Sequence, residues 1–418
     1  NYEEKIKQKN LETLLHLLKG SLGTGILAMP KAFYNAGYVI GLIGTVIIGL
    51  LCTYGMRILV TSQYELCKRK RVPAMTYHAT AETALSEGPV FLRRFSRFSI
   101  HTINSFLLIY QLGSCCVYTV FIAENLKKAL ETYIPGIDVR LYMLVILLPL
   151  IFVNWIRNLK FLAPCSTVAN GITFVSFGII LYYIFREPLS FNDRLPVGEV
   201  ANFPLYFGTV LFALEAIGVI MPLENEMRKP KNFIRPLGVL NIGMATIVVL
   251  YTGIGLFGYL RYGSDIAGSI TFNLSSTEPL AKSVQILLAV AIFFTHPIQC
   301  YVAIDITWNE YLSPHLEKNA HKLVWEYVTR TCLVLLTFLL AVAIPQLELF
   351  ISLFGALCLS GLGLAFPAII QLCTFWSVST RTEKTILVAK NMSLVLFALL
   401  GLVVGTYTSL RNIIETFS

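Results

Sequence analysis

Two ionisable side chains stand inside long apolar runs of this sequence, each beside an interruption. His16 opens the stretch "HLLKGSLGTGILAMP" (16–30), in which Gly20, Ser21, Gly23, Thr24 and Gly25 follow in close order. Glu215 is at the centre of "FALEAIGVIMP" (212–222). An unperturbed imidazole titrates at about pH 6.5, so it takes up and releases a proton across ordinary physiological gradients. A carboxyl group can do the same, or can serve as a fixed acceptor for free N–H groups. Charges at the bilayer centre cost at least ~2.5 kcal/mol, which makes such positions functional candidates. The plainer readings are a core histidine bonded to a nearby carbonyl and a glutamate that caps a helix break.

The small residues point to a second kind of chemistry. Glycine lets a chain leave the helix without a Cβ penalty. Unwound backbone at membrane depth is tolerated only where it is buried in protein or lines a cavity. Freed N–H groups at Ser21, Leu22, Gly23, Thr24 and Gly25 would head a second half-helix and receive a carboxylate, helped by the helix dipole. Freed carbonyls around Ala213, Leu214 and Ala216 would receive an ammonium group. A zwitterionic amino acid carries both. A small-residue packing face is the simpler reading of the glycines, but Gly20, Gly23 and Gly25 do not keep a four-residue spacing. Tyr118, with Tyr110 and Gln111, could wall such a site from another helix. Asn170, Thr295 and His296 are further polar positions in apolar runs, and His296 is a second titratable candidate.

These residues need helices to hold them, and the composition supplies them. The chain has 418 residues, 56% hydrophobic and 14% charged, with a net charge of +9 and a mean hydropathy of +0.68. Soluble domains carry about 25% charged residues. Apolar runs recur at the length of about 20 residues that crosses a bilayer. Eleven spans are expected, at 11–36, 38–62, 98–128, 140–157, 161–185, 203–226, 236–261, 281–307, 323–344, 347–376 and 385–410. The basic residues cluster in 63–97 ("KRKR", Arg93, Arg94, Arg97), in "RKPK" (228–231) and at Arg381 and Lys384. That bias places these loops in the cytoplasm and speaks against a nucleic-acid partner. The polar opening 1–10 is expected to be a cytoplasmic N-terminus rather than a signal peptide. "NLS" makes Asn273 a glycosylation candidate on the opposite side. The cysteines show no paired metal-type spacing, and no metal or catalytic cluster is expected.

"GILAMP" (25–30) and "GVIMP" (218–222) echo each other five spans apart. Interrupted helices at matching places in two halves point to an inverted-repeat transporter. The long stretches around them, and "QLGSCCVYTVFIAEN" (111–125), resemble the first, sixth and third spans of the proton-coupled amino acid transporters. These belong to the amino acid/auxin permease superfamily. The resemblance covers essentially the whole chain. It implies an all-α integral membrane protein with a LeuT-like 5+5 inverted repeat plus an eleventh helix, helices 1 and 6 being broken. The core would be 11–376, with repeats at about 11–185 and 203–376, followed by 377–418. It implies proton-driven symport of small neutral amino acids such as Gly, Ala and Pro at the plasma or lysosomal membrane. The proton is the coupling ion and no cofactor is needed. His16 and Glu215 inherit the proton-coupling positions.

Two departures stand out. The outer loops 129–139, 186–202 and 262–280 hold no cysteine for the disulfide that family members can carry. Ala216 stands where a glycine is common, which would favour very small substrates. A sensor that signals to a cytoplasmic growth-control partner with little flux is the alternative function. Sodium coupling is a third reading, for which Thr295 is a poor lone ligand.

Overall fold

The computed structural model describes residues 10–21, 23–157, 163–214, 227, 232–317 and 321–417. The first span is two helices, Asn10–Ser21 (α1) and Thr24–Ala36 (α2). Then come Tyr38–Lys70 (α3), Tyr77–Glu87 (α4), Ser96–Leu130 (α5), Val139–Asn154 (α6) and Ala163–Phe185 (α7). The sixth span begins with Phe203–Ala213 (α8). Its expected second half, with Glu215 and Ala216, lies outside the described residues, as does Leu22. Val239–Tyr262 (α9), Pro279–Asp305 (α10), Lys322–Ala343 (α11), Leu347–Phe354 (α12), Phe366–Phe375 (α13) and Arg381–Phe417 (α14) complete the bundle. Among the described residues eight helical segments are long and apolar enough to cross a membrane.

Several elements depart from the expected boundaries, each for a physical reason. The second span does not stop at 62. It runs on to Lys70, about 50 Å at 1.5 Å per residue, so its last turns stand clear of the hydrocarbon. Lys68, Arg69 and Lys70 occupy the last turn, where the helix dipole favours cations, and Arg71 ends it in the left-handed region (φ 58°). Part of the expected loop 63–97 is α4, N-capped by Thr76, whose hydroxyl accepts from the Ala79 N–H. Arg69 and Lys70 hold the far end of α4 through Glu87, at 3.2 and 3.1 Å. Burial raises the Glu87 pKa, but hydrogen bonds and charge from Lys70 and Arg69 outweigh it and leave it below the usual 4.5. The stabilisation from that clamp is therefore present at neutral pH and fades only as the pH falls through the depressed value.

The tenth span is not one α-helix. Between α12 and α13 the segment Gly355–Ala365 is π-helical. Pro367 has no N–H to offer the Gly363 carbonyl, and that carbonyl lies where any side chain at Gly55 of α3 would stand. The Tyr77 hydroxyl of α4 donates to the neighbouring Leu362 carbonyl at 2.6 Å.

The interior of the bundle is α2, α5, α8 and the α12–α13 span. Thr24 to Pro30 of α2 are buried without a gap. α5 packs along α10, and α2 lies between α8 and α9. The outer helices α6, α7, α11 and α14 expose Leu148, Phe174, Leu339 and Leu400, among others, as lipid-facing surfaces do. Lys31, Lys128, Arg186 and Arg261 share one end of the bundle and are each ion-paired there. The other end, carrying 63–97, is the basic end.

Backbone meets backbone where α8 crosses the tenth span. A methyl added at Gly208 would collide with the Ser352 carbonyl, and one at Gly355 with the Gly208 carbonyl. Overpacking of this kind costs about 1–3 kcal/mol. Gly208→Ala is therefore expected to lower the unfolding midpoint. Gly171→Ala in α7, where the space is open, should raise or preserve it, gaining up to ~1 kcal/mol. Thermal unfolding of the two variants in one detergent checks the difference.

Candidate site at two interrupted helices

α1 stops at Ser21 because its last carbonyls find other partners. The Ser21 carbonyl accepts from the Gly23 N–H at 2.9 Å and from the Tyr251 hydroxyl of α9. The Ser21 hydroxyl donates back to the Leu17 carbonyl at 3.0 Å. Gly23 then turns the chain with extended backbone (φ −125°, ψ −154°) and becomes the N-cap of α2, with no side chain capping it. The first N–H groups of a helix have no partner within the helix. The Thr24 hydroxyl, 1% exposed, also has none. A cluster of donors and the positive end of a helix dipole are thus buried together, which is an anion site in chemical terms.

α8 ends at the same place with the opposite polarity. It closes at Ala213, and Leu214 still donates its N–H to the Val210 carbonyl at 2.9 Å. A Cβ on Gly25 would lie 2.6 Å from the Ala213 Cα. The N-terminus of α2 and the C-terminus of α8 therefore touch, backbone against backbone. Donors for a carboxylate and acceptors for an ammonium group come within the length of one small zwitterion.

The roles expected of Gly23 and Gly25 separate here. Gly25 has no room for a side chain. Gly23 has room: an added Cβ would meet only the Tyr118 hydroxyl, at an ordinary 3.8 Å, and its φ suits any residue. Gly23 therefore faces the Tyr118 hydroxyl of α5, with room for about a methyl group between them. Gln299 of α10 donates to the Tyr118 hydroxyl at 3.5 Å. Tyr110 stacks at a tilt on Phe212 of α8, centroids 6.0 Å apart. Gln111 and Ser114 share the Tyr118 face of α5 by helical spacing, and the Gln111 carbonyl oxygen and Ser114 hydroxyl are buried without partners.

Other expected positions fall differently. His16 lies in α1, but its side chain is outside the described residues, as are Glu215, Ala216 and Leu22. Thr295 spends its hydroxyl on the Ala291 carbonyl, and Asn170 is only half-buried. His296 is buried with Nδ1 3.2 Å from the Asn154 amide nitrogen. Nδ1 is then the acceptor and the ring N–H sits on Nε2. The Asn154 carbonyl accepts from Arg330 at 3.0 Å, and Arg330 is paired with Glu326. His296 so belongs to a brace between α6, α10 and α11. Asn273 uses its amide inside its own loop, donating to the Asp265 carbonyl and accepting from the Ala267 N–H. It lines a polar cavity of about 520 Å³ with Lys31, Glu124, Lys128 and Glu348. Lys31 of α2 pairs there with Glu348 of α12 at 3.4 Å, fastening α2 to the tenth span.

Tyr251, Gln299 and the Lys31–Glu348 pair were not expected from the sequence. A lone tyrosine in "VVLYTGIG" reads as packing, and nothing in "THPIQC" marks Gln299 as a partner of Tyr118.

A helical bundle in which a helix start and a helix end meet at the centre has the LeuT-like inverted-repeat fold. The chain resembles the inward-facing conformation of Mhp1 with a TM-score of 0.59, at 11% identity, covering 98% of this chain and 92% of that one. It resembles the closed, bromovinylhydantoin-bound form of Mhp1, a nucleobase-cation-symport-1 family transporter, with a TM-score of 0.53 at 13% identity, covering 98% and 94%. The chain belongs to the transmembrane amino acid transporter family, whose profile matches residues 7–411. It is 39% identical over 409 residues to the proton-coupled amino acid transporter-like protein pathetic of Drosophila melanogaster, spanning 97% of this chain and 86% of that protein. It is 27% identical to the probable amino acid transporter skat-1 of Caenorhabditis elegans, spanning 97% and 90%. It is therefore a multi-pass membrane protein of a transporter family rather than of an enzyme family.

The different surroundings of the two glycines give a direct test. Gly25→Ala should fail to reach the membrane or unfold early, because Ala213 is in the way. Gly23→Ala should fold and traffic normally yet lose uptake, because its methyl closes the gap to Tyr118 beside the Thr24 and Gly25 donors. Thr24→Val should also fold; losing one hydrogen bond to a charged group costs about 1.5–3 kcal/mol, a rise in KM of roughly ten- to a hundredfold. Surface labelling with radiolabelled amino acid uptake reads all three.

Proposed function

We propose that the chain is a proton-coupled symporter of small neutral amino acids of the glycine, alanine and proline type, working across the plasma or lysosomal membrane. The observation that carries this reading is the contact of the α2 N-terminus with the α8 C-terminus at Gly25 and Ala213. The substrate carboxylate is received by the N–H groups of Thr24 and Gly25 and by the Thr24 hydroxyl, beside Gly23, whose own N–H is held by the Ser21 carbonyl. Leu22 and Ser21 complete that turn. The ammonium group is received by carbonyls at Ala213, Leu214 and Ala216. Tyr118 covers the side-chain end of the substrate and keeps it small. His16 carries the coupled proton, and Glu215 either shares it or caps the second break. The repeats run over about 11–185 and 203–376, 377–418 adds the eleventh helix, and the basic end faces the cytoplasm.

The likeness to the Drosophila proton-coupled amino acid transporter-like protein supports the proton as the coupling ion. The paired Lys31 and Glu348 support an outer closure that tightens when α2 swings toward α12. A partly exposed pair of this kind is worth no more than about 1 kcal/mol, weak enough to open in each cycle.

Radiolabelled alanine uptake at about pH 5.5 and about pH 7.5, on either side of an ordinary histidine, tests the reading with and without sodium. Uptake should be stimulated by acid and indifferent to sodium. His16→Ala should lose the acid stimulation while still reaching the membrane, and Glu215→Gln should flatten the pH profile if Glu215 shares the proton. Sodium-dependent uptake, or an unchanged acid response in His16→Ala, would overturn the coupling assigned here.

A further inference from the structure

Away from the transport site, an apolar groove of about 200 Å³ opens at the basic end between α4, α5 and α13. Leu85, Phe95, Phe98, Ile103, Phe366 and Ile369 line it. Its only hydroxyls, Ser99 and Thr102, are already spent on their own helix, donating to the Ser96 and Phe98 carbonyls. The groove therefore offers a guest no free hydrogen-bond donor, and suits a stretch of hydrocarbon chain.

What borders the groove is as specific as what lines it. The helical turn Val90–Arg93 and the start of α5 expose Val90, Phe91 and Phe98, at 79%, 61% and 65%. Arg93, Arg94 and Arg97 stand among them, all exposed. Aromatic side chains mixed with arginines mark the headgroup level of a membrane. Arg93 is bound to the Gly88 carbonyl through Nε, which fixes the turn. Arg94 lies over the Phe95 ring at 5.0 Å, which leaves its N–H edge open. At the opposite end Arg186 and Arg261 are paired with Glu278 and Glu187. Arg94 and Arg97 have no ion pair among the described residues.

We infer that this groove is a binding site for an anionic glycerophospholipid of the leaflet at the basic end. One acyl chain fills the groove, and Arg94 and Arg97 hold a headgroup of net negative charge, in which the phosphate is not neutralised by a quaternary ammonium of its own as it is in phosphatidylcholine. The lipid ties together three elements: α4, the start of the third span and the end of the tenth. Through the Tyr77 bond to the Leu362 carbonyl, α4 is attached to the π-helical segment. A lipid seated here therefore steadies the tenth span opposite the transport site.

The test is thermal unfolding of the purified full chain in detergent, titrated with phosphatidylserine or phosphatidylcholine. Each cation near an anionic lipid surface contributes about 1 kcal/mol, so two arginines predict stabilisation at roughly thirtyfold lower phosphatidylserine than phosphatidylcholine. Arg94→Gln/Arg97→Gln, a surface change, should keep the lipid-free midpoint and lose the preference. Thr102→Phe, which fills the groove, should lose stabilisation by both lipids. Glycerophosphoserine, which has no acyl chains, should not stabilise the protein. Equal stabilisation by the two lipids, a preference that survives the double arginine change, stabilisation that survives Thr102→Phe, or full stabilisation by glycerophosphoserine would each overturn the assignment.

Discussion

The structure depends on one constraint: a backbone that leaves its helix at membrane depth must satisfy its polar groups inside the protein. α1 meets it by giving the Ser21 carbonyl to Tyr251 and to the Gly23 N–H. α2 meets it only in part, since its N-cap is Gly23, which has no side chain to cap it, and the Thr24 hydroxyl has no partner among the described residues. Those groups lie against the end of α8, where acceptor carbonyls gather. A helix start and a helix end touch at Gly25 and Ala213, so donors and acceptors of opposite polarity stand side by side, as a molecule bearing both charges requires. The glycine contacts follow from the same demand. Gly208 and Gly355 let α8 and the tenth span approach until their backbones touch, which holds the α8 end in place against α2.

Charge is distributed along the bundle in a way that fits this centre. At one end cations are matched to carboxylates, as in Lys31–Glu348, Arg186–Glu278 and Arg261–Glu187. Pairs that are partly exposed hold weakly, which suits parts that must separate. Deeper in the other half, Arg330 and Glu326 are buried together and joined through Asn154 to His296. A buried ion pair of this kind resists rearrangement, because removing one partner strands the other. α6, α10 and α11 are thus braced as a scaffold, while α2 is fastened by contacts that can break.

Much of this was legible in the residues because the break violates the rules of an apolar helix. Glycines, hydroxyls and an ionisable group in one turn of a spanning run have no packing reason to be there, so residues 20–25 announced themselves. The opposite roles of Gly23 and Gly25 did not, because both are simply glycine; only the position of Ala213 and Tyr118 separates them. The ends of α3 and the α4 helix were missed for a different reason. Hydropathy stops where lipid stops, but a helix continues while its last turn is favourably charged, as it is at Lys68–Lys70. The π-helical segment Gly355–Ala365 follows from the missing donor at Pro367 and from neighbours on α3 and α4, which no local pattern records. Tyr251 and Gln299 act through partners more than a hundred residues away in sequence, and single polar residues in apolar helices carry no address.

The central claim is that the two helix ends recognise both charges of an amino acid at once. Equilibrium binding of radiolabelled alanine to the purified protein, competed with alanine, N-acetylalanine and alanine amide, tests it most directly. Blocking either charge should remove one helix end from the interaction, and each lost charge-assisted bond is worth about 1.5–3 kcal/mol. Both blocked compounds are therefore predicted to compete at least roughly tenfold more weakly than alanine. Competition by either one at the concentration of alanine itself would contradict the account.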